Sequence, residues 1–224
     1  MPRLARLTIA GELHFVVQRG VFADDADRLS YLEALRGAAQ AHDVAVHAYV
    51  LLEDEVQWLA TPARVEDLGL VVQATGRRFV AAINRRHGLR GSCWDGRFRS
   101  AVVDGRSDAV ELVALVEQEP VLRGLAPGAP DWPWSSAAHH LGTARVPWLR
   151  DHPGLWSLGN TPYEREAAYE RRLRVPPDAA LRSALHRAAA RGWALGSDAF
   201  VARLTKAALP RAARPMTPGR PRTG

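Results

Sequence analysis

The chain has 224 residues, 47% of them hydrophobic, and a formal net charge of +6. That length suits one substantial domain with appendages, no run approaches the roughly 20 apolar residues of a membrane span, and a single cysteine, Cys93, excludes an internal disulfide. Met1-Pro2-Arg3 leads into no apolar signal segment, so a cytoplasmic location and no membrane partner are expected. Charge is unevenly spread. Residues 170–224 carry 12 basic side chains against 3 acidic ones, whereas residues 1–169 carry 18 against 21. A basic tail on a mildly acidic body points to a polyanion, most simply nucleic acid.

Residues 13–18 read as a first strand, ended by Arg19-Gly20. Asp24 to Gln40 reads as a helix with Asp24 or Asp25 as N-cap and Leu29, Leu32 and Leu35 on one face. The apolar runs 44–52 and 55–60 predict a hairpin turning through Leu52-Glu53-Asp54. Helical spacing returns from Val65 to His87 and closes at Gly88. A strand at 97–103 follows, then a helix capped by Ser107 and stopped near Pro120. This order, β-α-β-β-α-β-α, predicts an α+β, ferredoxin-like antiparallel sheet with helices on one face. Dense Pro and Gly make 124–159 mostly irregular, two helices follow near 178–191 and 197–208, and an Arg/Pro/Gly-rich end is expected to be disordered.

Several blocks carry a resemblance. Gly11 to Gly20, Val46-His47-Ala48-Tyr49-Val50-Leu51, Gly76-Arg77-Arg78-Phe79, and above all Asn84-Arg85-Arg86-His87-Gly88 with Gly96-Arg97-Phe98 resemble the single-tyrosine HUH transposases. Within these, the resemblance is closest to REP-associated tyrosine transposases. Glu119-Pro120-Val121-Leu122-Arg123-Gly124-Leu125 and Trp132-Pro133-Trp134-Ser135-Ser136 are similar to segments downstream of that family's nucleophile. The resemblance implies a ferredoxin-like domain over 1–125 that handles hairpin single-stranded or repeat DNA. An irregular Pro/Trp-rich connection at 126–177, a helical extension at 178–209 and a disordered basic tail at 210–224 complete the expected organisation. It leaves both a monomer and a homodimer open.

The resemblance also implies chemistry that these residues lack. In such proteins a His-x-His pair on one strand face binds Mg²⁺ or Mn²⁺, and a helix-borne tyrosine attacks the phosphate. Here Glu55-Val56-Gln57 stands at the histidine positions and Leu115 at the tyrosine position. Leucine has no group that can be deprotonated, so no catalytic residue is assigned. Glu55 and Gln57 still share a face and offer oxygen ligands, and Glu119 aligns with a third ligand position, so these three are the candidate metal set. Glu53, Asp54 and Glu55 also put three carboxylates where a phosphate would come, so either a cation sits there or DNA avoids that corner. His139 and His140 are adjacent, which predicts diverging side chains and a surface role rather than ligation.

Between Arg77 and Arg99 lie seven arginines and one acid, Asp95, with Phe79, Trp94 and Phe98 interleaved. Guanidinium forks neutralise phosphates and aromatic faces stack bases. Phe79 falls in helical register with Ile83 and reads as core; Arg77, Arg78, Arg85, Arg86, Arg97 and Arg99 read as DNA contacts. Arg220 and Arg222 in Pro218-Gly219-Arg220-Pro221-Arg222 suit a narrow minor groove. The leading expectation is a DNA-binding protein without phosphotyrosine chemistry. Its rivals are a nuclease using a metal on Glu55, Gln57 and Glu119, and a non-DNA interaction protein on an inherited fold.

Overall fold

The computed structural model describes residues 6–20 and 22–208. Strand β1 (Leu13–Arg19) is buried along all but its last residue. Helix α1 (Asp25–Ala41) begins where the Asp24 carboxylate accepts the Asp27 N–H. β2 (Val44–Leu51) and β3 (Glu55–Pro62) form the expected hairpin. Helix α2 (Asp67–His87) stops at Gly88, whose φ of +65° is the left-handed cap that a glycine adopts without strain. β4 (Arg99–Val103) leads into α3 (Gly105–Glu117) and the short α4 (Glu119–Leu122). Then come α5 (Ala137–His140), α6 (Pro162–Leu173), α7 (Ala179–Arg191), β5 (Ala194–Leu195) and α8 (Asp198–Ala208).

The sheet runs β2-β3-β1-β4-β5, antiparallel except for the β4–β5 pair. The first four strands with α1 and α2 are the expected ferredoxin-like core. Val16, Val56 and Trp58 pack with Tyr31, Leu35 and Phe79 on the α1/α2 face. The opposite face is covered as well: Phe15, Leu59 and Ala101 pack with Leu112, Leu115 and Leu185. So α3 and α7 lie across the sheet from α1 and α2, where the sequence pattern predicted helices on one face. The β1 sequence is apolar on both faces for this reason. A bulge at His47 interrupts the alternation of β2. Val44 and Val46 face α1/α2, Ala48 and Val50 face α3, and Tyr49 and Leu51 return to the first face.

Residues 129–158 are short helical turns and loops that seal the β2 edge. Leu51 N–H donates to Trp134 O at 2.8 Å, Ser136 N–H to Tyr49 O at 3.0 Å and Arg150 N–H to Val46 O at 3.0 Å. Trp132 Nε1 donates to Leu51 O at 2.9 Å. The Trp-Pro-Trp-Ser-Ser motif thereby satisfies backbone groups that an edge strand would expose.

Two elements depart from the sequence pattern. Asp104, not Ser107, caps α3, accepting the Arg106 N–H at 3.3 Å; the chain turns into the helix directly after β4, which puts Ser107 inside its first turn. Helix α6 lies within the span read as irregular, and Thr161 and Glu164 close a reciprocal capping box around Pro162.

Candidate functional site

Alternation along β3 sends Val56 and Trp58 toward α1 and α2, so Glu55, Gln57 and Leu59 face α3 and α7. Helix α4 brings Glu119 to the same corner, where Arg123 reaches both it and Glu55. Arginine holds these groups together. Arg123 donates to Asp54 Oδ1 and Glu55 Oε1, both at 2.8 Å, and its Nε lies 3.4 Å from Glu119 Oε2. Arg182 of α7 donates from Nε and Nη2 to the two Glu119 oxygens at 2.6 and 2.8 Å. Gln57 turns its amide N–H toward Glu55 Oε1 at 2.8 Å, presenting a donor where a metal needs an acceptor. Burial raises the Glu119 carboxyl, but hydrogen bonds from His186 and Arg182 outweigh it and bring the pKa down to about 2.

This donor set does not fit a divalent cation. Two guanidinium groups already supply the positive charge, and the carboxylate lone pairs are directed at them. In this arrangement the candidate metal set of Glu55, Gln57 and Glu119 is engaged by Arg123, Arg182 and its own internal hydrogen bond. Leu115 is buried in the apolar layer between α3 and the sheet. Arg123, Arg182 and His186 were missed by sequence reasoning. Only Arg123 lay within a quoted motif; Arg182 reaches Glu119 across 63 residues.

The basic segment divides into two groups. Arg86 is consumed by structure: it donates to Asp24 Oδ2 at 2.5 Å and Asp27 Oδ1 at 2.6 Å, fastening α2 to α1. Expected as a DNA contact, Arg86 is here engaged by two carboxylates. Trp94 also turns inward, with ring centroids 5.3 Å from Phe79 and 5.8 Å from Tyr31. The remaining arginines, Arg77, Arg78, Arg85, Arg97 and Arg99, are exposed. Arg77 and Arg97 line a surface cavity of about 560 Å³ with Gln18, Gln73, Trp94 and Phe98. Arg97 and Arg99 line a neighbouring one of about 570 Å³ with Phe98 and Arg191. Between them, the Arg6 guanidinium sits 3.7 Å over the Phe98 ring and donates to Phe98 O at 3.0 Å. Asp95 N–H to Arg19 O at 3.0 Å and Asn84 Nδ2 to Gly91 O at 2.9 Å tie the loop to the scaffold. Arg220 and Arg222 lie outside the described residues.

A third cluster surrounds Glu117, the last residue of α3. Its fully buried carboxylate accepts from Ser136 Oγ at 2.5 Å, His140 Nδ1 at 2.6 Å and Tyr169 Oη at 2.6 Å. Burial opposes a charged His140 ring, but the Glu117 carboxylate outweighs it, with lesser help from Asp151 and the His47 carbonyl, and the pKa is raised. His139 does not diverge from His140 as adjacency predicted. The ring centroids are 5.2 Å apart, and Nε2 of each lies near Asp151 Oδ1, at 3.3 and 3.7 Å.

Fold and layout together define the class: an α+β domain built on a five-stranded, mostly antiparallel sheet with helices on both faces. The structure of a REP-associated tyrosine transposase bound to a REP hairpin matches with a TM-score of 0.54 and 17% identity, over 69% of this chain and 93% of that chain. The crystal structure of a candidate transposase from Deinococcus radiodurans R1 is 17% identical over 56% of this chain and 98% of that chain, with a TM-score of 0.35. No family model matches the chain, and no curated protein matches it. Among the described residues, no helix is long and apolar enough to cross a membrane.

Proposed function

We propose that this chain is a cytoplasmic DNA-binding protein that recognises hairpin single-stranded or repeat DNA and does not perform tyrosine strand transfer. The observation that carries the reading is the contrast between its two arginine groups. At the former catalytic corner, guanidinium groups are spent on carboxylates. On the β4 side, Arg77, Arg97 and Arg99 are exposed around Phe98 on a loop held to the scaffold. Exposed guanidinium groups release counterions when they meet phosphates, and the half-buried Phe98 ring beside them adds apolar surface for a base to pack on. The likeness to a hairpin-bound transposase supports hairpin DNA as the partner. Leucine at position 115 supports the absence of a phosphotyrosine route.

The test is a binding titration on labelled hairpin DNA, unstructured single strand and duplex at two salt concentrations. Hairpin affinity at least tenfold above the other two, weakened in an Arg97→Ala/Arg99→Ala double variant, supports the proposal. Equal weak binding to all three, unchanged in that variant, would falsify it in favour of a protein-interaction role.

A further inference from the structure

Away from the basic face, His139, His140 and Asp151 line a cavity of about 410 Å³ with Arg145, Arg165 and Tyr169. One ligand atom from each of the first three lies within 4.8 Å of the others. His140 is the informative member. Its side chain is 3% exposed, its Nδ1 is fixed by Glu117, and its buried Nε2 has no hydrogen-bond partner. A carboxylate on Nδ1 places the ring proton there and leaves the Nε2 lone pair as a ligand, the arrangement found behind metal-bound histidines. Tyr169 and Ser136 in turn fix Glu117.

We propose that His139 Nε2, His140 Nε2 and Asp151 Oδ1 form a site for a divalent transition ion of the zinc class, oriented by Glu117. A tetrahedral ion with bonds of roughly 2.0–2.2 Å needs ligand atoms about 3.3–3.6 Å apart. The distances from Asp151 Oδ1 to the two ring nitrogens, 3.3 and 3.7 Å, lie within and just beyond that range, so a small inward shift completes the geometry. Two imidazoles and one carboxylate are a borderline donor set, suited to Zn²⁺ or Co²⁺ rather than Mg²⁺. Three protein ligands leave a position open to water on the cavity side.

Loading has one local cost. His139 Nδ1 accepts the Val146 N–H at 3.2 Å, and this long hydrogen bond is given up when the proton moves to Nδ1. The competing arrangement is a charged His140 between Glu117 and Asp151 with no metal. It accounts for the raised His140 pKa, with the His47 carbonyl and Asp151 as distant acceptors, but gives Nε2 no hydrogen bond of normal geometry.

The experiment is calorimetric titration of the chelator-stripped full chain with Zn²⁺ at neutral pH, with the visible spectrum of the Co²⁺ form as a second readout. One equivalent should bind. His140→Ala and Asp151→Asn should each lower affinity at least tenfold, and Glu117→Gln should lower it about 10–100-fold. His42→Ala, remote from the cluster, should leave it unchanged. Asp151 is nearly half exposed, so Asp151→Asn keeps the test valid if His140→Ala fails to fold. Absence of stoichiometric binding, or binding indifferent to both ligand variants, overturns the proposal.

Discussion

Arg182 forks onto Glu119, with Nε 2.6 Å from one carboxylate oxygen and Nη2 2.8 Å from the other. The pair joins α7 to α4 beside the Glu55 and Gln57 end of β3. Glu119 is fully buried and Arg182 about one-third exposed. Arg182→Ala should therefore cost roughly 2–3 kcal/mol, below the 3–5 expected for a fully buried pair because Arg123 remains. Chemical denaturation measures the loss directly; a change under 0.5 kcal/mol (on the order of a neutral surface substitution) refutes the clamp.

The two arginine groups should separate in paired measurements. Arg86→Ala strips a buried Asp27 of its guanidinium and should measurably lower the stability of the fold, leaving His87 as the carboxylate's partner. Its effect on the salt dependence of DNA binding should be negligible. Arg97→Ala should do the reverse, lowering the salt slope by about 1 with stability unchanged. Identical behaviour of the two variants would remove the distinction.

Gly20 pairs with Trp94, and a Cβ there would overlap the indole ring. Because Trp94 is wedged against Phe22, Tyr31 and Phe79, the ring has nowhere to retreat. Gly20→Ala should destabilise by roughly 1–3 kcal/mol and weaken DNA binding by displacing the basic loop. An unshifted Tm in thermal unfolding counts against this packing argument.

Two buried histidines set an acid limit. His14 donates from Nδ1 to Glu12 O and accepts the Ile9 N–H at Nε2, and His47 is held between Arg150 O and the Thr61 hydroxyl. Burial pushes both down to about 4. Each stays neutral in the fold while the unfolded chain takes up a proton near pH 6.5. Their contribution is thus complete above pH 6.5 and is lost as pH falls toward 4. At about 1.4 kcal/mol per pH unit, His14 alone accounts for on the order of 3 kcal/mol. His140, raised rather than lowered, acts in the opposite direction, and the contribution of Glu119 is complete above about pH 4.5 and is lost only as pH falls toward 2. Histidine titration by NMR checks the assignment: a His14 midpoint near 6.5 contradicts it.

Much of the core was legible in the chain itself, because its signals are local. Asp24 before a helical run, Gly88 after one, and apolar runs broken at Glu53-Asp54 each specify an element through contacts within a few residues. The Thr161/Glu164 cap was equally local but was masked by the Pro- and Gly-rich stretch around it. That positions 55, 57 and 115 carry neither imidazole nor phenol was plain from the sequence alone. What meets them in the fold was not. Whether Glu55 and Glu119 meet a metal or an arginine, whether Arg86 faces DNA or Asp27, and whether His139 and His140 diverge or converge are decided by groups 11 to 68 residues away, when helices pack on both sheet faces. Charge pairing over such separations follows from the tertiary path of the chain, which local spacing does not encode.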